Sequence, residues 1–222
     1  MQPDKLEKHV FATYLSLRIG MAVLGIALPL VLWWGGLLKG VPLQESMSDY
    51  YHVVSDGKSM RDFLVGLLFA IGAFLYLYKG FTTLENWLLN FAGAFAILVA
   101  LFPVQWNCGE ACSKMTAHAV FAVSFFLCIA FVCFCCAKDT LEDRGLEEGR
   151  KKWYRFLYWA TGAAMLLSPA TAFILTQLFH QHGSYIFFIE ASGVVFFSVY
   201  WLIKSWELRE TKAERRALRM TV

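Results

Sequence analysis

Apolar residues fill six stretches of this chain almost without interruption, at about residues 19–38, 63–78, 87–102, 115–137, 156–179 and 185–203. Short polar segments separate them and carry nearly all of the charge. About 20 apolar residues wound as a helix span the hydrocarbon core of a bilayer. The pattern therefore predicts an all-α transmembrane bundle of six spans, forming a single domain over residues 1–222. The second span is short, and its Gly66, Gly72 and Ala73 offer places for close helix packing. Pro169, in the middle of the fifth span, removes a helix hydrogen bond and predicts a kink. Residues 5–18 read as a separate short helix lying along the membrane surface.

Charge gives the bundle a direction. Lys79, Lys138, the run Arg150 to Arg155 and the basic tail from Lys204 onward fall on one side. Lys39, Lys58, Arg61 and Lys114 fall on the other. An excess of Lys and Arg marks the cytoplasmic side, so both termini are expected in the cytoplasm. No small-residue cleavage site closes the first apolar run, which therefore reads as a retained span. The hydrophobic fraction is 58%, above the roughly 45–50% of soluble chains, which agrees with a bilayer environment. No basic groove interleaved with aromatic residues is present, so nucleic acid is not an expected partner. No nucleotide-binding loop occurs either. The expected partners are membrane lipids and a lipid or small apolar substrate.

The longest polar connection, between the first two spans, collects Glu45, Ser46, Ser48, Asp49, Tyr50, Tyr51, His52, Arg61 and Asp62. The six-span arrangement places it on the same side as His118, at the start of span four. Glu190, early in span six, and the loop carrying His180 and His182 also fall there. A carboxylate such as Glu190 is costly inside a membrane and is a functional candidate by default. Imidazole and carboxylate are natural zinc ligands, and a bound water beside a carboxylate makes a hydrolytic centre. His52, His118 and Glu190 are the candidate metal ligands. Asp62, Ser48 and Tyr51 are the candidate catalytic groups, as base or orienter and as polarising groups. Plainer roles stand beside these. His52 can stack in the Tyr50-Tyr51 cluster, His118 can bond a loop carbonyl, and Asp62 can favour the N-terminus of its helix. Serine chemistry is also open, with His52 beside Ser46 and Ser48. Cys108 and Cys112 can close a small disulfide loop, remain thiols or bind a metal.

The segments SMSDYYH, MRDFLVG, GAFLYLYKG and VALFP resemble a family of small bacterial six-span membrane proteins. The chain is also similar to the Frag1/DRAM/Sfk1-like group, which shares a polar Ser/Asp segment after span one. These likenesses imply residence in a bacterial inner membrane. More distantly it resembles the CREST superfamily of alkaline ceramidases and adiponectin-type receptors. That likeness implies lipid amide hydrolysis around an intramembrane zinc, with Ser48, His52, Asp62 and His118 in the site. It departs from that pattern in span six, which holds Glu190 where the superfamily has a histidine pair. The concrete expectation is a metal-dependent hydrolase of a lipid-like amide or ester at the outer leaflet. The alternatives are a non-enzymatic lipid- or small-molecule-binding protein or sensor, and a small transporter or channel.

Overall fold

The computed structural model describes residues 3–106, 116–141, 146–178 and 183–211. It is a bundle of six long helices with one small hairpin. Helix α1 covers Pro3–Leu30 and continues through a wide π turn at Val31–Gly35 to Leu38. Helix α2 is Arg61–Leu77 and α3 is Thr83–Leu101. Helix α4 covers Ala117–Phe131 and runs on through a π turn at Val132–Cys136 to Leu141. Helix α5 is Glu148–Phe173, extended by a third π turn at Ile174–Leu178. Helix α6 is Tyr185–Thr211. Among the described residues, five helices are long and apolar enough to cross a membrane, all except α2 with its 17 residues.

Two boundaries differ from the hydropathy reading. The segment 5–18 is not a separate surface helix but the first part of α1. Nothing between Arg18 and Ile19 breaks the helix, and Arg18 is buried, with Nη1 donating to the Tyr78 hydroxyl at 3.4 Å. Pro169 lies inside the continuous helix α5, where the sequence places it. Helix α6 continues past 203 to Thr211 because Lys204 and Glu207 are buried inside the bundle and not in a solvated tail.

Hairpin neighbours pack on one another, α1 also packs on α2 and α6, and α4 on α5, so the six helices close a circuit. Helix α6 is the most enclosed of the five long apolar helices. Its Glu190, Val194, Phe197, Trp201 and Lys204 recur at three- and four-residue steps, so they share one face. Phe197 meets Phe125 of α4, and Trp201 meets Tyr78 at the end of α2. Gly25 of α1 lies against Ser198, Phe197 and Val194 of α6. Helix starts follow local chemistry. The Thr82 hydroxyl accepts the Glu85 N–H at 3.2 Å, and the Glu85 carboxylate accepts the Phe81 N–H at 2.8 Å, a variant of the reciprocal N-terminal cap. Thr116 caps α4 by accepting from Ala119 N–H at 3.1 Å.

Residues 40–60 form a folded cap over one end of the bundle. Gly40, at φ 76°, stops α1, while Gly40 N–H bonds Leu37 O and Val41 N–H bonds Gly36 O. This is the glycine C-terminal motif that satisfies helix carbonyls. A single tight turn, Ser48–Tyr51, follows. Strands β1 (Val54–Ser55) and β2 (Lys58–Ser59) then pair across Asp56 and Gly57, both with positive φ. An Asp-Gly pair suits that two-residue turn because glycine adopts positive φ freely and aspartate tolerates it. The cap is anchored by Val41, Tyr50 and Met60, all buried, with the Tyr50 ring against Phe187 of α6 at 6.0 Å.

Gly72 of α2 and Gly93 of α3 face each other so closely that a Cβ on either meets the other's carbonyl at 2.7 or 2.6 Å. Backbone cannot step aside as a side chain can, so Gly72→Ala and Gly93→Ala are expected to lower the thermal midpoint in detergent clearly. Gly66→Ala, which meets nothing within 4 Å, is the control and is expected to leave the midpoint unchanged or raise it.

Candidate functional site

At the cap end, α6 offers Glu190 and the cap answers with two donors. The Ser46 hydroxyl and the Met47 N–H each reach Glu190 Oε2 at 2.9 Å. Ser46 is itself held, its N–H donating to Asp49 Oδ2 at 2.9 Å. Its hydroxyl oxygen accepts the Ser48 N–H at 3.1 Å. One residue of the cap thus ties Glu190, Asp49 and Ser48 together. Next to Glu190, the Ser168 hydroxyl of α5 donates to the Ile189 carbonyl of α6 and ties these helices together, while Ser192 donates to the same carbonyl within α6.

The two histidines serve the chain as it leaves α3. A helix ends with carbonyls that lack partners within it. His118 Nδ1 lies 2.9 Å from Phe102 O, and His52 Nε2 lies 2.7 Å from Val104 O. A carbonyl only accepts, so each of these nitrogens carries the hydrogen. That leaves His118 Nε2 to accept the Ser48 hydroxyl at 2.9 Å. The His52 ring stacks on Trp106 at 5.5 Å and meets the edge of Tyr51 at 5.0 Å. Tyr51 in turn lies 5.7 Å under the Arg61 guanidinium. Asp62 stands apart, its side chain 95% exposed and 4.0 Å from Arg61 Nε.

This geometry corrects the zinc expectation. Among the described residues, no group of three or more His, Cys, Asp or Glu side chains could hold a metal ion. The physical reason is that His52, His118 and Glu190 are directed at different partners: Val104, Phe102 with Ser48, and Ser46 with Met47. Ser48 is joined to His118, not to the His52 of its own loop. His180, His182, Cys108 and Cys112 lie outside the described residues.

The opposite end holds a polar cluster that hydropathy does not reveal. Arg18, Glu85, Lys204 and Glu207 are all at most 1% exposed. Lys204 Nζ lies 3.1 Å from Glu207 Oε2 and donates to Thr140 Oγ1 at 2.7 Å. The Tyr158 hydroxyl donates to the same Glu207 oxygen at 2.9 Å. Phe81 and Tyr158 present their rings to the ammonium of Lys204, at 5.5 and 5.6 Å. A sequence signal existed for this cluster: α6 continues in helical register from Trp201 through Lys204 to Leu208, so a buried face extends beyond the apolar run.

Breaking a buried pair leaves an uncompensated charge, so Lys204→Met is expected to destabilise the fold by about 3 kcal/mol or more. The double variant Lys204→Met with Glu207→Leu is expected to recover most of that loss. Chemical or thermal unfolding in detergent reads both, and equal loss in the single and double variants would contradict the ion-pair account. Comparison with known protein families, with curated proteins and with solved structures finds no match for this chain.

Proposed function

We propose that this is a non-enzymatic membrane protein that binds a lipid or lipid-like small molecule beneath its cap, as a receptor or sensor. The observation that carries the reading is the joint between Glu190 and the cap. A carboxylate at the edge of the membrane is engaged by two neutral donors of a connection between spans, Ser46 and Met47. Such a joint can open without breaking a salt bridge, and a ligand that satisfies the carboxylate can take the donors' place. Aromatic residues suited to the headgroup region surround the cap, with Trp34 and Trp106 exposed and Trp33 packed on Phe188 at 5.1 Å. In this reading the cap faces outside and the cluster around Lys204 lies toward the cytoplasm, in accord with the charge bias.

The inward face of α6 speaks for binding over conduction. Between Glu190 and Lys204, about 21 Å apart by helical rise, it presents Val194, Phe197 and Trp201, all at most 8% exposed, and the buried Ser198 donates its hydroxyl to the Val194 carbonyl of its own helix. A transport path needs polar partners at that depth.

A second reading, metal-free acyl transfer, is favoured by one contact. Ser48 and His118 are placed as a nucleophile and a base. It ranks second because the Ser48 N–H is already engaged by Ser46, and is not free to stabilise an oxyanion.

Native mass spectrometry of protein extracted in mild detergent is expected to show a bound amphiphile, reduced in occupancy in Glu190→Gln. No retained amphiphile under several extraction conditions would contradict the binding reading. Covalent labelling by a fluorophosphonate that disappears in Ser48→Ala would favour acyl transfer instead.

A further inference from the structure

Resting on that binding reading, we propose that the group received at Glu190 is a primary ammonium, carried by an aminated lipid head or by a free aliphatic amine. The argument starts from charge. A carboxylate near the end of a membrane helix is expensive unless a cation accompanies it. Among the described residues, Glu190 has hydrogen bonds only from the Ser46 hydroxyl and the Met47 N–H. Lys58 is exposed on the hairpin, and the other basic groups around the cap are engaged elsewhere. Lys39 Nζ donates to the Ser59 carbonyl at 3.3 Å and lies 4.4 Å from the centre of the Phe63 ring. Arg61 covers Tyr51 and neighbours Asp62. His118 uses one ring nitrogen on Phe102 and the other on Ser48.

The chemistry of the joint then selects the ligand. Whatever replaces Ser46 and Met47 must bring two hydrogens to the carboxylate, as they do, and it gains over them only by adding positive charge. A primary ammonium supplies both. A quaternary ammonium supplies charge without an N–H, an alcohol supplies a hydrogen without charge, and an anionic head is repelled. Near the joint, the exposed Phe188, packed on Trp33, offers ring surface that favours a cation and an alkyl chain. Ser46 competes with the ligand for the same oxygen, so weakening the joint should tighten binding.

The test measures binding of dodecylamine, dodecyltrimethylammonium and dodecanol to the full chain in nanodiscs, by tryptophan fluorescence and native mass spectrometry. Parallel samples contain phosphatidylethanolamine, phosphatidylcholine or phosphatidylglycerol, and free ethanolamine is titrated separately. Dodecylamine is expected to bind at least tenfold more tightly than the other two dodecyl probes. Glu190→Gln is expected to abolish that preference. Ser46→Ala, which keeps the carboxylate, is expected to tighten dodecylamine roughly three- to tenfold, as for loss of one competing hydrogen bond. Retention of phosphatidylethanolamine alone among the lipids assigns the ammonium to a lipid head, and tight binding of ethanolamine assigns it to a free amine. Equal binding of the three dodecyl probes, or an amine preference that survives Glu190→Gln, overturns the ammonium proposal while leaving amphiphile binding intact. Binding of none of the probes or lipids overturns both.

Discussion

The carboxylate of Glu190 is a central joint between the cap and the bundle. Glu190 Oε2 receives both the Ser46 hydroxyl and the Met47 N–H, and the order of the cap follows from that joint. Ser46, once placed, fixes Ser48 and Asp49, and Ser48 reaches His118 on α4. His118 and its neighbour His52 then hold the chain leaving α3. The connection between α1 and α2 therefore engages α3, α4 and α6 as well as its own two helices. A connection that only linked two spans would need none of this. Its interactions are hydrogen bonds of about 1 kcal/mol net each, so they hold the cap in register without fixing it irreversibly.

The two ends of α6 solve the burial of polar groups differently. At the cap end a carboxylate is met by neutral donors from a connecting segment. At the other end Lys204 and Glu207 are paired with each other and supported by Thr140 and Tyr158, which come from the end of α4 and from α5. Replacing one hydrogen-bond donor at the first end changes little of the charge balance. The second end is an ion pair out of contact with solvent, where removing one partner strands the other. The asymmetry makes the cap end the more suitable place for an exchangeable ligand and the other end the more suitable place for a fixed support.

The helical bundle was legible in the sequence because long apolar runs have few physical alternatives in a membrane. The glycines of α2 announced a close contact, and Gly72 makes one with Gly93. The limits of the helices were less legible where charged side chains are buried. Arg18 and Lys204 look like the edge of a span, yet aromatic and hydroxyl partners from distant parts of the chain keep them inside. The candidate site was legible as a set of residue types on one side, and Glu190 does meet the polar connection there. Their partners were not legible. Two of the decisive acceptors are the backbone carbonyls of Phe102 and Val104, which every residue possesses and no side-chain pattern reveals. The same blindness hid the hairpin at Asp56-Gly57, whose turn chemistry was present but whose strands are only two residues each.

The shortness of α2 has a consequence for the surrounding lipid. Its 17 residues measure about 25 Å, and the 19 of α3 about 28 Å, against about 30 Å of hydrocarbon. The packing neighbour of α2, α1, supplies an apolar helical stretch of 31 residues. A helix as short as α2 can cross only where it stands nearly upright or where the acyl chains around it are compressed. The long helices can tilt to fit whatever thickness they meet. A short helix and a long one therefore stand side by side, and they share one bilayer thickness only if the long helix tilts or runs on past the hydrocarbon.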